Sequence, residues 1–258
     1  MTRRSVLAAL AFASCAKKSA SLRVGVTPVP AGEVMAEVKQ VLEQKGVAIE
    51  IVSFTDYIQP NLALASGDID ANLYQNLPFL KQFNQDRGTD FVSVKPVYSP
   101  PMGIYSKSIK ALGELKQGAS IALPNDPVNL GRGLILLAEA KLIALKPSAT
   151  DRSPTEEDIQ TNERGLLLRP LEAAQLPRVL PDVDAAVINA NYALDSGLHP
   201  LRDAVYYEKD LSRYANILAC RKGKEKDPRI LLVAEALTSP EMKSFLKRRY
   251  QGAVIPAF

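Results

Sequence analysis

The residues best spaced for chemistry lie in one stretch, Leu123-Pro124-Asn125-Asp126-Pro127-Val128-Asn129-Leu130-Gly131-Arg132. The apolar run Ser120 to Leu123 leads into it and an apolar-periodic run follows, which reads as strand, tight turn and helix. Asp126 suits the N-cap, where a carboxylate accepts from the free N–H groups of the first turn. Pro127 then occupies the first helical position, where its missing N–H costs nothing. Asn129 and Arg132, three apart, share one helix face. An amide and a guanidinium fork beside a helix N-terminus suit a carboxylate ligand. The alternative is a capped helix with a solvated Arg. Acid chemistry pairing Asp126 with Asp68 or Asp70 is a second alternative, for a hydrolase or lyase. A His-based triad or a Cys/His metal cluster is argued against by count, since the chain has one His and two Cys. No nucleophile elbow, metal spacing or Gly-rich phosphate loop is found. The expectation is therefore a non-enzymatic site with no metal and no cofactor.

Other polar and aromatic residues fall at expected strand ends or first helical turns: Tyr57, Tyr74, Asn76, Phe79, Asn125, Asn189, Tyr192 and Asn216. In an open α/β lobe these places face the crevice beyond the strand ends. Aromatic walls, amides and one Arg describe a site for a small amphoteric molecule. Individually, an Asn can cap a turn and a Tyr can fill a rim.

The elements that must position them alternate along the chain. Leu22 to Thr27 reads as a first strand, Val34 to Leu42 as an amphipathic helix, and Val47 to Phe54 as a second strand. Asp56 caps a short helix ending at Ser66-Gly67, and Asp68 to Tyr74 forms a third strand. Pro78 opens a helix that runs to Arg87-Gly88, and Phe91 to Val97 is a strand. Tyr98-Ser99-Pro100-Pro101 breaks the pattern and marks a first crossing between lobes. Beyond it come a strand at 102–106, the Asp126 helix and a polar segment at 148–165 in which a helix is expected. Then follow a strand at 166–170, a helix at 174–180 and the strand Ala185 to Asn189. A helix over 191–198 precedes a return crossing at 204–210. A strand over 215–220 and two helices, opened by Asp227-Pro228 and Ser239-Pro240, finish the chain. Alternating strands and helices with a doubled crossing predict two α/β lobes. One lobe takes 21–97 plus 210–258, the other 98–209, and the ligand cleft lies between them.

The 258 residues are ordinary globular material, 47% hydrophobic and 23% charged, with a mild net charge of +4. Basic residues are scattered without interleaved aromatics, so no nucleic-acid partner is implied. Residues 1–20 read as export signal and tether. Arg3-Arg4 precede the apolar run Ser5 to Ser14, too short for the roughly 20 residues that a membrane span needs. Cys15 after Ala13-Ser14 resembles a lipoprotein cleavage site, at which the Cys would carry lipid and anchor the chain to a membrane; a signal discarded whole is the alternative. Thr2 to Leu7 also resembles a twin-arginine signal. Cys220, in an apolar run, is expected to be a small buried side chain.

Ordered motifs run along nearly the whole mature chain: Phe54-Thr55-Asp56-Tyr57 with Pro60-Asn61; Gly67-Asp68-Ile69-Asp70-Ala71-Asn72; Pro124-Asn125-Asp126-Pro127 with Asn129-Leu130-Gly131-Arg132; Gln175-Leu176-Pro177-Arg178; Ala186-Val187-Ile188-Asn189 with Tyr192-Ala193; and Tyr214-Ala215-Asn216. With these the chain resembles the NlpA family of lipoproteins, and within it the methionine-binding components of ABC importers. The resemblance implies a type II periplasmic-binding-protein fold, a periplasmic or cell-surface location, and delivery of an amino acid, methionine or a close relative, to an ABC permease and its ATPase. It assigns Arg132 and Asn129 to the ligand's carboxylate and polar backbone. Asn189 and Asn216 become strand-end contacts, and Tyr57, Tyr74 and Phe79 the side-chain pocket. One position departs: methionine-binding members usually carry His where this chain has Asn76. Another amino acid or a short peptide therefore stands as the alternative ligand.

Overall fold

The computed structural model describes residues 21–149 and 153–258. Signal, tether and Cys15 lie outside the described residues. The chain begins with β1 (Leu22–Val26), a turn through Pro28–Gly32, α1 (Glu33–Glu43) and β2 (Ile49–Ser53). Val34, Met35, Val38 and Leu42 form the buried stripe of α1. Next come α2 (Gln59–Ser66), closed by Gly67 at φ 84°, and β3 (Ala71–Asn76). The left-handed backbone at Gly67 is one that a Cβ would strain. Then α3 (Leu77–Arg87) and β4 (Val92–Ser99) follow.

The chain now changes sheets. It forms β5 (Gly103–Tyr105), β6 (Ser120–Pro124), α4 (Pro127–Glu139), the short hairpin β7 (Ala144–Leu145) with β8 (Ile159–Thr161), and β9 (Leu167–Leu171). It continues through β10 (Ala185–Ile188), α5 (Ala190–Asp195), α6 (Pro200–Asp203) and β11 (Tyr206–Tyr207). It then returns to the first sheet with β12 (Asn216–Cys220), α7 (Pro228–Leu237), α8 (Pro240–Tyr250) and β13 (Ile255–Pro256).

Two larger sheets result. One has the order β13-β4-β12-β3-β1-β2, the other β11-β5-β10-β6-β9. β1 is parallel to β2 and β3, and β6 is parallel to β9 and β10. The central strands β3, β6 and β10 are buried on both faces, as helix-covered parallel strands must be, while the edge strands β2 and β9 are partly exposed. β12 inserts antiparallel between β3 and β4. Two connections join the sheets, Pro100 to Met102 and residues 208–215. Each sheet has its own apolar core, one around Val24, Met35 and Leu218, the other around Ile121, Leu134 and Val187. Cys220 is fully buried in the first, and burial raises its thiol to about 11.

Four expected elements differ, the first being the return crossing expected at 204–210, which holds β11 paired with β5, so the chain leaves this sheet only at 208. The 148–165 segment forms no α-helix among its described residues. It has a 3-10 turn at Glu156–Asp158, capped by Thr155, which leads into β8. The expected helix at 174–180 is two 3-10 turns, Ala173–Gln175 and Leu180–Asp182. Pro177 lies between them, lacks an N–H and crowds the preceding turn, so no α-helix can pass through. β4 continues through Ser99, because pairing with β12 and β13 carries it past Tyr98.

Candidate functional site

The carboxyl ends of β3, β6 and β10 and the start of β12 converge on a cavity between the sheets. It is lined by Tyr57, Tyr74, Gln75, Asn76, Phe79, Pro100, Asn129, Arg132, Asn189, Ala190, Asn191 and Asn216. Of the residues picked out from sequence, all but Asn125 and Tyr192 line it. Asn125 points instead to Glu172, its Nδ2 donating to Oε1 at 3.0 Å, in a separate depression. Tyr192 supports the wall from behind, its ring 5.1 Å from that of Tyr57.

The aromatic side is built around Tyr57. Its ring lies 6.1 Å from Tyr74 and 5.9 Å from Phe79, the latter edge-on, within the range of favourable ring pairs. Val128, on the first turn of α4, packs with Tyr74 and Phe79 and so joins the two sheets' elements. Polar bonds cross the same gap. Tyr57 Oη donates to Asn191 Oδ1 at 2.5 Å, and Tyr192 Oη donates to the Thr55 carbonyl at 3.1 Å. Both sheets' elements are therefore held closed over the cavity. Burial raises the phenol pKa values of Tyr57 and Tyr74 well above 10, so both are neutral donors.

The polar side is made of amides held in fixed orientations. Asn76 caps α3, its Oδ1 accepting from Phe79 N at 3.0 Å. Gln75 is locked by Asn61 and Asn72: its Nε2 donates to Asn61 Oδ1 at 2.8 Å and to Asn72 Oδ1 at 2.9 Å. Its Oε1 accepts from Asn61 Nδ2 at 2.9 Å. Asn216 Nδ2 donates to the Tyr74 carbonyl at 2.9 Å. Asp126 caps α4 as its sequence position requires, accepting from Asn129 N at 2.9 Å. Burial raises the Asp126 pKa, and the hydrogen bonds from Asn129 oppose that rise.

Arg132 is buried, with 3% of its surface exposed, and it is not a lone cation. Its Nε donates to Glu208 Oε1 at 2.7 Å and its Nη2 to Glu208 Oε2 at 2.5 Å. Nη2 also donates to the Pro100 carbonyl, and the guanidinium lies 4.3 Å from the centre of the Tyr214 ring. Glu208 Oε2 in turn accepts from Met102 N at 2.8 Å. Burial works against the Arg132 charge, but Glu208, with help from Tyr214 and Tyr57, more than offsets it, and the guanidinium pKa is raised. Nη1 has no hydrogen bond among the described residues.

Glu208, Gln75, Pro100, Ala190 and Asn191 were missed from sequence. Asn191, the second residue of α5 after the strand end at Asn189, carried a findable signal: it sits in a first helical turn, as Asn129 does. Glu208 carried none, because its partner lies 76 residues away. The acids proposed for catalysis have structural partners. Asp70 accepts from Arg23 N at 2.8 Å and Asp68 from Ser66 Oγ at 2.5 Å, and neither lines the cavity.

Two α/β lobes joined by two connections, with a cavity where their strand ends face each other, constitute a type II periplasmic-binding-protein fold. The profile of the family described as NlpA lipoprotein matches residues 22–258. The chain belongs to that family. It is 40% identical over 257 residues to the D-methionine-binding lipoprotein MetQ of Salmonella typhi, covering 97% of this chain and 94% of that protein. It is 39% identical to the membrane lipoprotein TpN32 of Treponema pallidum, over 93% of this chain and 90% of that one. A nutrient binding protein from Burkholderia cenocepacia, solved bound to methionine, matches with a TM-score of 0.88 at 43% identity, over 92% of this chain and 100% of that chain.

Proposed function

We propose that this chain is the extracytoplasmic substrate-binding lipoprotein of an ABC importer and that it carries methionine, or an amino acid of similar shape, in the cavity between its lobes. The observation that carries the reading is the cavity's composition: an aromatic wall of Tyr57, Tyr74 and Phe79 opposite the amides of Asn189 and Asn216 and the free edge of Arg132. The ligand's carboxylate meets Arg132 Nη1. Its ammonium meets amide oxygens, since no carboxylate among the described residues lines the cavity. Its side chain is buried against the rings, a contribution of about 1.5–3 kcal/mol for a Met-sized group.

The lobes, 21–97 with 210–258 and 98–209, open and close about their two connections. The Tyr57–Asn191 and Tyr192–Thr55 bonds latch the closed form, which the permease and its ATPase accept for transport. The protein is exported and held at the membrane by lipid on Cys15. Names of relatives as membrane lipoproteins and as methionine-binding proteins support this reading. Clamping and release involve no covalent step, so the chain acts without turnover. The test is to purify the exported protein from its native host, denature it and identify the released small molecules by mass spectrometry, then titrate stripped protein with L- and D-methionine by calorimetry. Stoichiometric amino acid and saturable binding are expected. A ligand-free preparation that binds neither methionine nor any other free amino acid refutes the reading.

A further inference from the structure

Asn189 has a buried oxygen with nothing to hold. Its Oδ1 is fully buried and has no hydrogen-bond partner, on a side chain that is 94% buried and lines the cavity (6% exposed). Natural interiors rarely leave such an atom unpaired, because an unmatched acceptor forfeits its hydration. The question is why this amide turns its oxygen, and not its N–H₂, to the free side.

The answer lies two residues further back. Asn129 Nδ2 sits 3.0 Å from both Asp126 Oδ1 and Asp126 Oδ2. An ionised carboxylate only accepts, so the Asn129 amide must point its N–H₂ at Asp126 and its oxygen away. That oxygen accepts from Asn189 Nδ2 at 2.8 Å. Rotating either amide by half a turn would set oxygen against oxygen. The charge on Asp126 therefore fixes the polarity of the whole chain, Asp126 to Asn129 to Asn189, and leaves the unpaired acceptor on Asn189, a residue of the cavity wall.

We infer that Asp126 is a specificity-determining residue that touches no ligand: through Asn129 it orients Asn189 so that the site demands a ligand N–H at that point, and so selects amines over carboxylates that lack one. The inference rests on the amino-acid reading of the cavity and adds the group that enforces it. An ammonium offers a charge-assisted bond to Asn189 Oδ1. A desamino ligand leaves that oxygen unpaired and still buried. The net value of a hydrogen bond to a charged group corresponds to a discrimination of about 10- to 100-fold.

Asp126→Asn tests it. Asn remains a good N-cap, so α4 keeps its start. With its oxygen held by the cap on Asn129 N, however, the new side chain puts an N–H₂ where Oδ2 was, donor against donor at Asn129 Nδ2, so the chain loses its fixed direction. The measurement is calorimetric affinity of stripped mature protein for L-methionine and for its desamino analogue, 4-(methylthio)butanoate. Wild type should prefer methionine by about 10- to 100-fold. In D126N that ratio should fall at least several-fold, with methionine binding weakened more than analogue binding. Asn129→Leu, which cuts the chain in the middle while leaving Asp126 in place, should lower the ratio in the same direction. Loss of fold in one variant leaves the other as the test, and thermal melts identify it. A mere structural role for Asp126 would weaken both ligands equally. A D126N protein that folds, binds methionine and keeps the wild-type ratio overturns the inference while leaving the amino-acid reading standing. Wild-type protein that binds no amino acid overturns that reading first.

Discussion

Replacing Glu208 with Gln should destabilise the ligand-free protein far more than a surface ion-pair loss does, and the size can be worked out from two pairs in this molecule. Arg132–Glu208 and Arg249–Glu33 are both bidentate, with N···O distances of 2.7 and 2.5 Å in the first and 2.9 and 2.7 Å in the second. Geometry does not separate them, but burial does. The side chains of Arg132 and Glu208 are 4% and 7% exposed, those of Arg249 and Glu33 56% and 29%. A surface pair contributes about 0–1 kcal/mol, because water screens it and serves either partner when the other is gone. Removing one partner of a buried pair costs about 3–5 kcal/mol, because the other charge stays buried and uncompensated. Glu208→Gln keeps the volume and an acceptor for Met102 N, so packing loss adds little. At roughly 2–4 °C per kcal/mol for a chain of this size, the melting temperature should fall by about 6–20 °C. Arg249→Ala should lower it by no more than about 4 °C. Circular dichroism melts of stripped protein supply the numbers. Equal shifts for the two variants would refute the reasoning, since they would mean that the Arg132 charge finds a solvent or another partner once Glu208 is neutral. The same logic governs Arg132→Ala: it strands Glu208, so lost ligand binding in that variant mixes lost contact with lost stability. The double change Arg132→Met with Glu208→Leu, which buries no charge, separates them and should melt above either single variant.

Three further outcomes follow from single contacts. Tyr57→Phe removes the Tyr57–Asn191 bond across the gap and keeps the ring, so methionine affinity should fall by about 2- to 10-fold, read by calorimetry, with dissociation accelerated; unchanged affinity and rate would show that the bond does not latch the closed form. Asp184 accepts from Ser120 N at 2.7 Å and Ser120 Oγ at 2.9 Å, and these bonds lower its pKa below 3.8. A lowered carboxylate pKa stabilises the fold above the unfolded value, and that contribution is lost as pH falls through the folded value. Asp184→Asn should therefore be less stable at pH 7 and lose less stability than wild type between about pH 4 and about pH 2 in urea titrations; parallel pH profiles would count against the assignment. Gly131→Ala would place a Cβ 3.0 Å from the Cδ, N and O of Pro154, so despite its better helix propensity it should cost about 1–3 kcal/mol by denaturant unfolding. A neutral or stabilising outcome would mean that the Pro154 loop gives way.

What could be read from sequence was local, and what could not was set by distant partners. Asp126 and Pro127 announced a helix start because capping and the missing proline N–H act within one turn, and Asp126 does cap α4. Asn189 and Asn216 were legible as strand ends for the same reason. Asn125 was misplaced into the cavity because residues around a strand end alternate in direction: Asn125 turns to Glu172 at the end of the neighbouring strand, while Asn129, one helical turn on, faces inward. Gln75 escaped notice because β3 is buried on both faces, so hydrophobic alternation carries no information about which side meets a ligand. The helix expected in the polar segment 148–165 had no apolar spacing behind it, and the one expected at 174–180 underweighted Pro177.

Glu208 is the instructive omission, because it changes what Arg132 means. From the nine-residue string Pro124 to Arg132 the guanidinium reads as a bare anion receptor. In the fold two of its nitrogens are occupied by Glu208 and Pro100, and Glu208 also holds Met102 N. Pro100 and Met102 belong to one connection between the sheets, and Glu208 opens the other. A single residue on α4 thus ties both connecting strands to the helix and presents only its remaining edge to the cavity. A cavity lined by a cation already neutralised from behind, with no carboxylate among the described residues of its wall, favours a ligand of no net charge over a dicarboxylate or a simple anion. The amphoteric ligand inferred from an aromatic, amide and guanidinium lining and the neutrality imposed by Glu208 are therefore two independent arguments for the same chemical class, one drawn from the residues at the wall and the other from a residue behind it.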